Sequence, residues 1–69
     1  MSFASRLKEI RKARGHTQES LGLSIGVAKS TITGYEKGTS HPDENKLLAL
    51  MSVLQVDANY LWQIGSAHV

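Results

Sequence analysis

Cysteine is missing from this chain of 69 residues. Its absence excludes disulfides, thiolate catalysis and cysteine-ligated zinc, and it fits a reducing cytosol. Proline occurs once, and the six glycines stand singly, as punctuation. There is no repeat, low-complexity tract or linker. No apolar run approaches the roughly 18 residues needed to span a membrane, and the N-terminus lacks the hydrophobic stretch of a signal peptide. These absences predict a soluble, cytoplasmic chain. Its length allows one domain over residues 1–69, with an ordered core from about residue 3 to 64. A domain so small buries only about 60% of the surface its unfolded chain exposes, which leaves little room for a large catalytic cleft.

The charges that are present are unevenly placed. Residues 1–37 hold seven basic side chains (Arg6, Lys8, Arg11, Lys12, Arg14, Lys29, Lys37) against three acidic ones. Residues 38–69 hold one, Lys46, against three acids. A basic N-terminal half suggests a face for a polyanion, and a solvated charged helix would show the same imbalance. Charge alone leaves these two open.

Periodicity reads as helix throughout. Phe3, Leu7 and Ile10 form one amphipathic stripe, with Ser2 as its N-cap and Gly15 just past its end. Thr17 offers a second cap for a short helix running about to Ser24, with Leu21 and Ile25 turned inward. Gly26 then supplies a sharp turn. From Ala28 to Glu36, Ala28, Ile32 and Tyr35 recur at helical spacing, while Lys29, Ser30, Thr33, Gly34 and Lys37 gather on the other face. Asp43 caps an apolar-rich helix, Glu44 to Leu54, and Asp57 caps a last short one carrying Tyr60, Leu61, Trp62 and Ile64. Five short helices and no strand predict an all-α bundle.

The second and third helices, joined by a tight glycine turn, define a helix-turn-helix. Their crossing requires a small residue, and Gly22 fits. The third helix requires an apolar edge as anchor, Ile32 and Tyr35, and a small or polar face to enter the major groove, Lys29, Ser30, Thr33 and Gly34.

The run TQESLGLSIGVAKSTITGYEKG, with IRKARG before it and PDENKLLALMSVLQVDANYLW after it, resembles the phage-repressor/Cro-like family of bacterial and phage regulators. The resemblance covers roughly residues 3–64. It implies a lambda-repressor-like fold and a sequence-specific DNA-binding transcriptional regulator. Such a protein is expected to be a repressor, binding a palindromic operator as a homodimer.

Residue by residue, Gln18 resembles the family glutamine that touches a phosphate and buttresses the first reading residue. Lys29 and Ser30 take the first two groove-facing places, Thr33 and Gly34 lie one turn on, and Lys37 resembles a phosphate-contacting position. Arg11 and Glu36 match a family ion pair that ties the first helix to the end of the recognition helix. The chain departs from the pattern at Ala28, where a serine or threonine cap is common, at His16 and at Gly34. Gly34 admits two readings: a tolerated defect, or a missing side chain that lets the helix sit deep against a thymine methyl or sugar edge.

Other chemistry finds little support. The fragment AKST fails as a nucleotide loop, because Leu23 and Ala28 stand where that loop requires glycine. His16, His41 and His68 are scattered and lack partners at ligand spacing, so no metal is expected, though His41 could approach a phosphate. Arg6, Lys8, Lys12 and Arg14 either solvate the first helix or touch phosphates. No catalytic constellation or cofactor motif is present, and neither an enzyme nor a small-molecule effector is expected. Tyr60 and Trp62 are candidates for a dimer contact. Two other readings remain: an antitoxin or adaptor that binds mainly protein, and the DNA-binding part of a longer phage-type repressor.

Overall fold

A computed structural model of the chain describes residues 2–57. It contains α1 (Phe3–Ala13), α2 (Gln18–Ile25), α3 (Lys29–Lys37) and α4 (Glu44–Leu54), with no strand among the described residues. The all-α expectation holds for this part. The expected fifth helix, with Tyr60 and Trp62, lies outside the described residues.

Each helix begins where local chemistry satisfies its orphan N–H groups. Ser2 accepts a hydrogen bond from the Ser5 amide and Asp43 from the Lys46 amide. Thr17 accepts from the Ser20 amide at 2.9 Å, and the Ser20 hydroxyl accepts from the Thr17 amide at 3.0 Å. This is a capping box with serine in the place of the usual glutamate or glutamine. Helix α2 runs one residue beyond the expected end, to Ile25, before Gly26 turns the chain at φ 79°.

Helix α3 is the exception. Ala28 occupies its N-cap in an extended conformation and provides no side-chain bond. Ala28→Ser therefore gains a cap and should stabilise the domain by about 1 kcal/mol. A rise in the urea midpoint at unchanged m-value reports it, and an unmoved midpoint contradicts it.

The core is assembled from Phe3, Leu7 and Ile10 of α1, Leu21 of α2, Ile32 and Tyr35 of α3, and Leu50 and Leu54 of α4. Leu7, Leu21, Ile32, Leu50 and Leu54 are fully buried, each contributing about 1.5–3 kcal/mol relative to exposure. Helix α3 packs on both α1 and α2, and α4 packs on α2. Burial, and next the charge of Asp43, pushes the Tyr35 phenol above its ordinary value, so this anchor is neutral at physiological pH.

Two further contacts set the frame. At the α2–α3 crossing, a Cβ on Gly22 would lie 2.7 Å from the Val27 carbonyl oxygen, so only glycine fits without a shift. Arg14, read from sequence as a solvating or phosphate-binding cation, donates from Nε to the Leu54 carbonyl at 2.7 Å and from Nη2 to the Gln55 carbonyl at 3.4 Å. It joins the end of α1 to the end of α4, whose last carbonyls would otherwise lack helical partners.

Candidate nucleic-acid interface

The candidate face is built on α3, and what orients α3 is a buried ion pair. Arg11 Nε donates to Glu36 Oε2, and Arg11 Nη2 donates to Glu36 Oε1 at 3.2 Å. This fork joins α1 to the last turn of α3. Both side chains are almost fully inaccessible, at 9% and 3% of their free exposure. Arg11 Nη1 also donates to the His16 carbonyl at 2.8 Å, which holds the loop between α1 and α2. The unusual His16 ring lies 3.1 Å from the Ser20 hydroxyl, beside the capping box.

Gln18, the first residue of α2, continues the cluster. Its Nε2 donates to Glu36 Oε1 at 3.1 Å, and its Oε1 accepts from the Thr33 hydroxyl at 3.0 Å. The structure thus brings Gln18 and Thr33 together and ties both to the Arg11–Glu36 pair. No periodicity or local motif in the sequence encodes this connection. Gln18 buttresses Thr33 rather than Lys29, and its half-buried side chain retains one amide N–H beyond these bonds.

Lys29 and Ser30 stand exposed in the first turn of α3, and Lys37 is exposed in its last. Ile32 and Tyr35, on the opposite edge, are buried. Lys29 lines an open depression together with Arg11, His16, Thr17, Gln18 and Glu19. The α2 N-terminus opens into this depression, where its amides and the lysine favour an anionic group.

Gly34 has a structural reason that the sequence did not reveal. A Cβ there would lie 2.6 Å from the Ser40 hydroxyl oxygen and 3.4 Å from the Thr39 hydroxyl oxygen. The missing side chain lets the loop after α3 fold onto the helix. The Gly34 carbonyl accepts from the amides of Gly38, Thr39 and Ser40 and from the Thr39 hydroxyl. The signal that could have found this was present but weak: two small hydroxyl residues follow the Gly38 turn. His41 is exposed in the same loop. Tyr60 and Trp62, the candidate dimer contacts, lie outside the described residues.

Known proteins are similar to this chain in sequence and fold. A helix-turn-helix family model matches residues 7–61. The uncharacterised HTH-type transcriptional regulator YobD of Bacillus subtilis (strain 168) is 37% identical over 59 residues, covering 86% of this chain and 53% of YobD. The HTH-type transcriptional regulator ImmR of the same organism is 33% identical over 61 residues, covering 88% of this chain and 48% of ImmR. The chain thus spans about half the length of these regulators. Among solved structures, the P22 c2 repressor in complex with a synthetic operator superposes with a TM-score of 0.86 at 30% identity, covering 91% of this chain and 96% of that one. With the Gly26 turn, the Gly22 crossing and the α3 face in place, the chain belongs to the helix-turn-helix family, in its phage-repressor/Cro-like branch.

Proposed function

We propose that this chain binds double-stranded DNA as a sequence-specific transcriptional regulator, with α3 in the major groove. The carrying observation is the exposed pair Lys29 and Ser30, held at the start of a helix whose opposite edge is buried and whose end is fixed by Arg11–Glu36. A rigid helix presenting a cation and a hydroxyl suits base edges, and the α2 N-terminus beside it suits a phosphate. Kinship with regulators, and with a repressor solved on its operator, supports the same reading.

Within this proposal the chain is a non-enzymatic repressor acting in the cytoplasm on nucleoid DNA. It acts as a homodimer, with Tyr60 and Trp62 at the contact and half-sites about 34 Å apart on a palindromic operator. Among the described residues, no helix is long and apolar enough to cross a membrane. Lys29 and Ser30 meet bases, Gln18 and Lys37 meet phosphates, and Gly34 lets the following loop pack against α3 at the far end of the reading face.

Lysine offers a single amine rather than a guanidinium fork, so its loss falls toward the low end of the 1–3 kcal/mol of a base contact. Lys29→Ala should weaken binding to a preferred sequence about tenfold, while random duplex loses much less. Lys37→Ala should weaken all sequences alike and flatten the salt dependence by about one unit on a log–log plot. Fluorescence anisotropy on both kinds of duplex decides. If Lys29→Ala binds preferred and random DNA as the parent does, Lys29 does not read bases.

A further inference from the structure

A threonine hydroxyl can ordinarily donate to a base edge or accept from one, and so discriminates poorly. Thr33 has lost that freedom. Its proton is within reach of two oxygens, Gln18 Oε1 at 3.0 Å and the Lys29 carbonyl at 3.2 Å, and both accept only.

The Gln18 amide cannot be turned round to change this. Its other end meets Glu36 Oε1 at 3.1 Å, on a carboxylate that already accepts two N–H groups from Arg11. Reversing the amide would set two acceptors against each other within a largely buried cluster, where an unsatisfied pair is costly. Donation therefore converges on Glu36: Thr33 donates to Gln18 and Gln18 to Glu36, while Arg11 donates to the same carboxylate from the other side. Ser30 differs, because its hydroxyl has no partner among the described residues and stays free to donate or accept.

We propose that Thr33 reads DNA solely as a hydrogen-bond acceptor, selecting a base that presents an exocyclic amino group to it in the major groove, cytosine N4 or adenine N6. Gln18 is the positioning residue that, together with the Lys29 carbonyl, imposes this polarity. Guanine and thymine present only acceptors on their major-groove edges, apart from the thymine methyl group, and are disfavoured at that place. This inference rests on the DNA-binding reading above and specifies how one position of the same face discriminates.

The test uses operators selected by the chain from random duplex DNA. Cytosine is replaced by 2-pyrimidinone and adenine by purine, one position at a time, which deletes the amino group alone. At one base per half-site, the parent should lose about fivefold in affinity, the size of one neutral hydrogen bond. Thr33→Val should bind the unmodified operator about fivefold more weakly and show no further loss on the modified base. Thr33→Ser, which keeps the hydroxyl, should behave as the parent. Gln18→Met should discriminate the modified from the unmodified operator less than the parent does, and an unchanged penalty overturns the part given to Gln18. Melting curves establish that each variant is folded.

The proposal is overturned if no amino-group deletion couples to Thr33. It is equally overturned if Thr33→Val retains full affinity, or if the coupled base is a thymine sensed through its methyl group. A parent that selects no sequence and binds no duplex defeats the DNA-binding reading itself, whereas selected operators without amino-group coupling defeat only the assignment to Thr33.

Discussion

Glu36→Gln is expected to destabilise the domain by about 3 kcal/mol, the low end of the 3–5 kcal/mol seen when one partner of a buried ion pair is removed. The substitution keeps the shape and one carbonyl oxygen, but leaves the Arg11 guanidinium, only 7% exposed as a residue, without a counter-charge. The remaining bond from Arg11 to the His16 carbonyl limits the loss. A chain of this length has roughly 3.5–10 kcal/mol of stability in all, so the variant should be partly unfolded near 37 °C. Urea denaturation at unchanged m-value measures the effect. Replacing both partners by apolar residues, Arg11→Met with Glu36→Leu, should recover much of the loss, because a buried pair costs almost as much to desolvate as it returns. If Glu36→Gln costs less than about 1 kcal/mol, the pair does not organise the bundle.

Gly22→Ala is expected to cost about 2 kcal/mol, although alanine gains nearly 1 kcal/mol over glycine in a helix interior. The new Cβ would lie 2.7 Å from the Val27 carbonyl oxygen and 3.4 Å from Ala28 main-chain atoms. None of these can rotate away. The Val27 amide also donates to the Gly22 carbonyl at 2.8 Å, so the crossing and the turn are joined at this point. Opening the crossing tilts α3 against α2, and binding to a preferred operator should fall more than binding to random duplex. Gly34→Ala is the contrasting case, because its close contact is the Ser40 hydroxyl, which can turn aside. Helix propensity then offsets the strain, and stability should change little. Equal stability of Gly22→Ala and the parent would show that the helices do not cross as described.

The two glycines show what the sequence makes legible and what it hides. Gly22 could be assigned to the crossing because a helix-turn-helix has one fixed place for a small residue. Gly34 could not, because its partners arrive from a loop whose path no periodicity encodes. Helix starts were legible for a local reason: Ser2, Thr17 and Asp43 cap amides only three residues away. The Arg11–Glu36 pair joins residues 25 apart and was reached through family resemblance alone. The bonds from Gln18 to Glu36 and Thr33, and from Arg14 to the end of α4, match no local pattern. Each is made only once the helices have packed. Single-residue chemistry was therefore readable, and of the network that orients the reading face only the Arg11–Glu36 pair was, through resemblance.

On the proposed reading, α3 presents Lys29, Ser30 and Thr33 to DNA in a sequence-dependent way. Its most direct test is the equilibrium affinity of the chain for a duplex selected from random DNA, compared with an unselected duplex across a range of salt concentrations. The selected site should be bound at least about a thousandfold more tightly, with both affinities falling steeply and linearly on a log–log plot as counterions are released. Equal affinity for the two duplexes, or an affinity indifferent to salt, would contradict it.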